Sequence, residues 1–263
     1  LNNLNKLEKS LNELNIPLIA VNAESFKSLH TDLSSLATKH SIEHVFWNKE
    51  FGVNEVGRDK NVFESLEKIN VPSSSHHDQV IYEPSFLKTG QGKPFSVFTP
   101  YKRRWVEHFS MDFLDLEKPK AAQKIISIKS NLDELKFKKT HSANIDLWPA
   151  GEEAAQERLA SFLMNKAKNY SQSRNTPILD GTSRISPYLA LGAISPKRCI
   201  LEALKLNNFE FNSGNKGLCK WIDEIVWREF YRNIMHSFPR VSMNRPFQNY
   251  TNSIQWRHSE SEL

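Results

Sequence analysis

The sequence predicts an α/β unit with a doubly wound parallel sheet over residues 1–109, followed by an all-α unit over residues 151–263. Three observations carry that expectation. Over residues 1–100 a helical hydrophobic period alternates with short apolar runs, the pattern of successive βαβ units. From residue 111 to 150 that rhythm stops and lysines accumulate, at Lys118, Lys120, Lys124, Lys129, Lys136, Lys138 and Lys139. So long a stretch without regular structure is uncommon inside a compact domain, and residues 110–150 read as an interdomain linker. Beyond Gly151 the short apolar runs vanish and only the helical period persists.

Residues 1–14 read as a helix whose Leu1, Leu4, Leu7, Leu11 and Leu14 form one stripe. A chain that opens on a leucine inside a helical pattern is expected to be a fragment of a longer protein, with both units incomplete and the first strand missing. Residues 16–21 read as a buried strand with Pro17 near its start. Ser25 opens a second helix carrying Phe26, Leu29, Leu33 and Leu36, and residues 42–47 form the next strand. A third helix covers residues 53–69 and a short strand starts at Val71; parallel crossovers end this unit near Phe109. In the second unit residues 152–170 are helical, with Glu152 and Glu153 in the first turn, where the macrodipole favours acids. Ser186-Pro187 and Ser195-Pro196 each place a capping hydroxyl before a proline whose missing N–H costs nothing at the first helical position. Gly192 closes the first of these helices, the second spans 196–206, and a last helix spans 218–235.

Hydrophobic residues make up 39% of the chain and charged residues 25%, with 9 Gly and 12 Pro, which excludes fibrous and disordered classes. No apolar run approaches the ~18–20 residues of a membrane span and no charged-then-apolar leader opens the chain, so a soluble cytoplasmic protein is expected. Cys199 and Cys219 are too few for a disulfide scaffold or a metal knuckle and read as core thiols. Basic side chains number 35 against 30 acidic ones, a net charge of +5. They stand 20 to 19 in residues 1–150 but 15 to 11 in residues 151–263. Between Trp227 and Arg257, the arginines 228, 232, 240, 245 and 257 meet only Glu229. That balance fits either a polyanion partner or a mildly basic solvated surface.

Two stretches could hold chemistry. In residues 181–186, Gly181 permits a tight turn, Thr182, Ser183 and Ser186 bring hydroxyls, and Arg184 brings a fixed charge, all before a helix N-terminus. This suits either an anion such as a diphosphate or an ordinary capped helix start. On the last helix Trp221, Glu224, Trp227, Arg228 and Tyr231 fall within an arc of roughly 120° at ~100° per residue. Ile222, Val226 and Phe230 line the opposite side, so the helix is apolar nearly all round and should be buried. Burying Glu224 and Arg228 unpartnered costs on the order of several kcal/mol, so they pair with each other or with something bound. Aromatic rings interleaved with arginine also make a surface on which flat heterocycles stack. His76-His77-Asp78 lacks a third ligand of metal geometry, and neither a GxGxxG run nor a P-loop is present.

GTSRIS at 181–186, WIDEIVWREFYR at 221–232, RPF at 245–247 and GKPFSVFTPYKRRW at 92–105 together resemble the photolyase/cryptochrome family, most closely its class I cyclobutane pyrimidine dimer photolyases. The resemblance implies an α/β antenna domain and a helical domain holding a U-shaped FAD. Carried over residue by residue, Tyr170, Thr182, Ser183, Arg184, Ile185, Ser186, Trp221 and Arg228 correspond to cofactor-binding positions. Arg174, Glu224, Trp227, Arg228 and Tyr231 correspond to the DNA-facing set, with Glu224 the catalytic acid that approaches the dimer. The implied activity is light-driven electron transfer from reduced FAD to a pyrimidine dimer in DNA, by a monomer that needs no metal. Lys93 stands where folate-type relatives carry glutamate, which leaves a folate antenna, a deazaflavin antenna or none. Two other readings stand beside repair: a cryptochrome-type blue-light signalling flavoprotein, and a truncated, non-catalytic DNA-binding remnant. Trp227 counts against the first of these, because the plant photoreceptors lack a tryptophan there.

Overall fold

The computed structural model describes residues 1–23, 25–114, 116, 119–123, 127–132 and 146–255. In chain order the elements are α1 (Asn2–Glu13), α2 (Leu29–Lys39), β1 (Val45–Asn48), α3 (Val53–Lys68), β2 (Ser73–His76), α4 (Phe98–Glu107), α5 (Glu152–Asn165), α6 (Tyr170–Ser173), α7 (Ser186–Leu191), α8 (Pro196–Leu206) and α9 (Lys216–Ser237). Strands β1 and β2 pair in parallel, Val45 opposite Ser73 through Asn48 opposite His76, with α3 as their crossover. A small core of Ala37, Val62 and Leu66, with Leu33, Val45, Trp47 and Val71 around it, packs α2 and α3 against this sheet.

Both strands start later than the apolar runs predict, and the cause is the way the preceding helices end. Past α2 the chain turns left-handed at Ser41 (φ 50°) and Ile42 N–H donates back to Ala37 O at 2.9 Å. Past α3 the same happens at Asn70 (φ 56°), with Val71 N–H donating to Leu66 O at 3.0 Å. This 6→1 closure satisfies orphan carbonyls of the helix end and claims the first apolar residue for the helix cap. Helix α1 closes identically through Asn15 (φ 59°), Ile16 N–H reaching Leu11 O at 2.9 Å. Residues 16–21, expected as a strand, are irregular. The Leu18 and Ala20 amides donate to the side chains Ser130 Oγ (2.9 Å) and Asn131 Oδ1 (2.7 Å), and Pro17 has no donor to give. The second helix starts four residues late because Ser25 and Ser28 bond each other in a turn, Ser28 Oγ donating to Ser25 O at 3.1 Å.

The larger core runs through both halves of the chain. Ile81, Tyr82, Leu87, Phe95, Tyr101, Trp105 and Leu114 pack in one apolar cluster with side chains of α5, α7, α8 and α9. Helix α4, which the sequence reading did not separate from its surroundings, supplies Tyr101 and Trp105, both fully buried. The helix expected over 152–170 is broken at Lys166 (φ −127°), after which a 3-10 turn over Ala167–Asn169 leads into α6. Gly217, in the first turn of α9, allows this crossing: a Cβ there would sit 2.2 Å from Ala167 O. Helix α9 is capped by Asn215, whose Oδ1 accepts from Gly217 N at 2.9 Å and Leu218 N at 3.0 Å. Ser195 caps α8 as its Ser-Pro pair predicts, accepting from Lys197 N at 3.1 Å. Ser186 does not cap α7: the cap position is Ile185 and the helix starts at Ser186 itself. Gly192 closes α7 in the left-handed conformation. No described helix is long and apolar enough to cross a membrane. Among the described residues no three His, Cys, Asp or Glu side chains gather as metal ligands.

Candidate functional site

The polar side chains of α9 differ in their partners from the pairing its spacing suggests. Glu224 does not pair with Arg228. Its Oε1 takes the Arg174 guanidinium, brought from the end of α6, and Lys220 Nζ at 3.4 Å. Arg228 turns instead to backbone carbonyls, donating to Gln79 O and to Leu189 O at 3.4 Å. Buried carbonyls need donors as much as buried charges need partners, and the five N–H groups of arginine can serve two chain segments at once. Burial pushes the Arg228 pKa down. The Arg174 guanidinium lies 5.5 Å from the Tyr170 ring centre, and burial followed by the Glu224 charge pushes the Tyr170 hydroxyl up. Tyr170 and Arg174, four residues apart, therefore form one cluster with Glu224, fifty residues beyond Arg174.

Around it stand the aromatic residues. Trp221 is buried against Phe162, centroids 5.3 Å apart, and Tyr170 meets the same Phe162 edge-on at 5.8 Å. Trp227, half-buried, lies parallel to Phe98 of α4 at 3.7 Å and 9°. On α9 it is followed by Tyr231, at 5.5 Å and 27°, which is 60% exposed.

Asp180, Thr182, Ser183 and Arg184 line a cleft of about 300 Å³ with Glu157, Arg158 and Ser161 of α5 and Lys166 just past its end. Gly181 is required by contact, since a Cβ there would fall 2.5 Å from the Ser173 side chain. Asp180 accepts from Lys166 Nζ at 2.5 Å and pairs with Arg184 Nη2 at 3.0 Å; the Lys166 hydrogen bond holds its carboxyl below the usual range. Thr182, Ser183 and Arg184 line the cleft, whereas the Ile185 side chain is buried in the core and Ser186 begins α7. Helix α7 has six residues, so the positive character of this cleft comes from Arg158, Lys166 and Arg184 rather than from a helix dipole. A second cleft of about 310 Å³ opens at the carboxyl ends of β1 and β2, lined by Trp47, Phe51, Phe63, Lys49, Lys60 and His236.

The sequence reading missed Glu229. It is 4% exposed and accepts four hydrogen bonds: Ile81 N (2.6 Å) on Oε2, and Tyr82 N (3.1 Å), Trp105 Nε1 (2.8 Å) and Tyr101 OH (3.3 Å) on Oε1. Burial outweighs the four donors and pushes its pKa up to about 7. A signal was there to read: at 100° per residue Glu229 falls about 20° from Ile222, in the middle of the apolar arc.

The DNA photolyase family matches residues 1–123. The deoxyribodipyrimidine photo-lyase of Escherichia coli is 31% identical over 266 residues, covering 99% of this chain and 54% of the relative. That of Neurospora crassa is 29% identical, covering 98% and 45%. Among solved structures, a class III photolyase from Agrobacterium tumefaciens superposes with a TM-score of 0.83 at 26% identity over 99% of this chain and 54% of its own. A cryptochrome from Synechocystis shares the fold at a TM-score of 0.75 and 18% identity, covering 99% of this chain and 54% of its own. The chain thus spans about half the length of the curated relatives it matches. Residues 1–123 thus match the DNA photolyase family, and over nearly its whole length the chain is similar to photolyases.

Proposed function

We propose that the protein expressed from its complete coding region is a deoxyribodipyrimidine photolyase, with Glu224 facing a pyrimidine dimer extruded from DNA. The observation that carries this reading is the Arg174–Glu224 contact standing beside the half-buried Trp227 on α9. Glu224 accepts a hydrogen bond from a base N–H of the dimer, and Arg174 and Lys220 fix the carboxylate in place. Trp227 and Tyr231 offer ring surface for stacking, and the arginines that follow Trp227 meet backbone phosphates. The pairing of Glu224 with Trp227 favours repair over blue-light signalling.

The donor set of the cleft at Asp180 to Arg184 fits a flavin diphosphate: the cations Arg158, Lys166 and Arg184 and the hydroxyls of Ser161, Thr182 and Ser183 outnumber the carboxylates of Glu157 and Asp180. Thr182, Ser183 and Arg184 would hold it, with Trp221 and Tyr170 packed behind Phe162 of the cleft wall. When bound, reduced FAD supplies the photoexcited electron that splits the cyclobutane ring. Ile185 contributes through the core, and Arg228 by tying α9 to residue 79 and to α7. Residues 1–109 act as the antenna-type unit, residues 110–150 as its linker and residues 151–263 as part of the FAD- and DNA-binding unit. The cleft at the strand ends has the aromatic lining and position that suit a second flat chromophore, as open parallel sheets bind ligands at the carboxyl ends of their strands. The protein is read as a cytoplasmic monomer acting on DNA.

Lesion discrimination tests the reading. Trp227→Ala should weaken binding of dimer-containing duplex by roughly 1–3 kcal/mol, one lost base stack, and leave flavin content intact. Undamaged duplex should lose much less, because its attachment rests on salt-dependent phosphate contacts. Equal losses on both duplexes, or flavin loss without a DNA effect, refute the assignment.

A further inference from the structure

We propose that Phe98 is a positioning residue that sets the plane and the available face of Trp227 for a stacked pyrimidine dimer. The inference rests on the lesion-facing reading of Trp227 given above. Phe98 lies almost superposed on the indole, with centroids 3.7 Å apart and an interplanar angle of 9°. Free aromatic pairs prefer offset or edge-on arrangements with centroids farther apart. Here the near face-to-face geometry follows from how α4 is fixed on α9. Three polar contacts fix it: Glu229 accepts from Trp105 Nε1 at 2.8 Å and from Tyr101 OH at 3.3 Å, and Lys102 Nζ meets Asp223 Oδ1 at 2.6 Å. Phe98 also meets Phe230 edge-on at 5.9 Å.

Phe98, Tyr101 and Trp105 sit three and four residues apart, so α4 presents one stripe to α9: two anchors and one ring laid on Trp227. One face of the indole is therefore occupied. A stacking base must take the other face; Tyr231, whose ring centre lies 5.5 Å from the indole at a looser 27°, is 60% exposed. A ring held in its final plane before binding loses less freedom when the base arrives, and that advantage applies to an extruded base and not to phosphate contacts. The role of Phe98 thus belongs to discrimination between damaged and intact DNA.

The test uses the protein expressed from its complete coding region, with Phe98→Leu, Phe98→Tyr and Trp227→Ala, titrated at one fixed salt concentration with dimer-containing and intact duplexes. Leucine keeps apolar bulk but has no flat face; tyrosine keeps the face. Phe98→Leu should lower the ratio of damaged to intact affinity by roughly two- to tenfold and reduce the near-ultraviolet circular dichroism of tryptophan. Phe98→Tyr should retain both. An unchanged ratio in Phe98→Leu while Trp227→Ala lowers it overturns the inference and leaves the photolyase reading standing; unchanged ratios in both variants overturn both. Should Phe98→Leu fail to fold, Phe98→Met, which also lacks a flat face, takes its place with the same expected loss and the same refuting result.

Discussion

Replacing Glu229 with glutamine asks whether burial or hydrogen bonding governs the buried carboxyl that ties α9 to residues 81–105. Four donors surround it, from Ile81 N, Tyr82 N, Trp105 Nε1 and Tyr101 OH, yet its pKa is pushed from an ordinary 4.5 up to about 7. An acid whose folded-state pKa lies above its unfolded value keeps its proton in the fold where the unfolded chain has released it. Its contribution to stability is full below about 4.5 and is lost as pH rises through about 7. The loss across that window is on the order of 3 kcal/mol. The neighbours do not compensate: Tyr82 and Tyr101 are themselves pushed up, by burial and then by the Glu229 charge, and Arg228 is turned to Gln79 and Leu189.

At pH 5 the glutamine amide matches the neutral carboxyl in shape, but its nitrogen cannot accept the Ile81 N–H that Oε2 takes, so Glu229→Gln should be the less stable by about 1–2 kcal/mol. Between pH 5 and pH 8 the difference should shift in favour of the variant by about 2–3 kcal/mol. Glu229→Ala removes the acceptor altogether and should cost at least about 3 kcal/mol at both pH values, because several buried donors are orphaned. Urea unfolding of the three proteins at pH 5, 6, 7 and 8 measures these differences. Parallel pH profiles for wild type and Glu229→Gln would show a carboxyl ionised throughout, and the dominance of burial would be refuted.

Other perturbations follow from the same geometry. Arg184→Ala should weaken FAD by about one to two powers of ten, one charge-assisted contact, measured by quenching of flavin fluorescence on titration; an unchanged affinity removes Arg184 from the cofactor site. Gly217→Ala should destabilise the fold by about 1–3 kcal/mol or more in urea, since its Cβ would collide with Ala167 O at 2.2 Å; a neutral result would mean that α9 crosses the 3-10 turn with room to spare.

Most of the longer helices were legible because their apolar stripes are long enough to read, and α8 follows its Ser-Pro and Leu signals to the residue, whereas α4 and the break at Lys166 were not. The strands were not, because an apolar residue past a helix end looks the same whether it begins a strand or folds back as a cap. Ile16, Ile42 and Val71 all fold back, and only the left-handed residue before each, Asn15, Ser41 or Asn70, distinguishes them. At the site, the arc on α9 placed Trp221, Glu224 and Trp227 on one side, but the partner of Glu224 came from α6, fifty residues upstream. No local spacing encodes such a contact. Glu229 was the opposite case, a charge whose place in the apolar arc could be read and was passed over in favour of the charged residues beside the tryptophans.

The most direct measurement is light-dependent repair of a defined cyclobutane dimer. The protein from its complete coding region, reduced and saturated with FAD, is mixed with a single-dimer oligonucleotide and split between blue light and darkness. Restored pyrimidines are then counted for wild type and Glu224→Gln. Repair in light only, with Glu224→Gln binding the dimer but repairing it more slowly, is the predicted result. A protein that holds flavin and dimer-containing DNA yet restores no pyrimidines under light would contradict the photolyase reading.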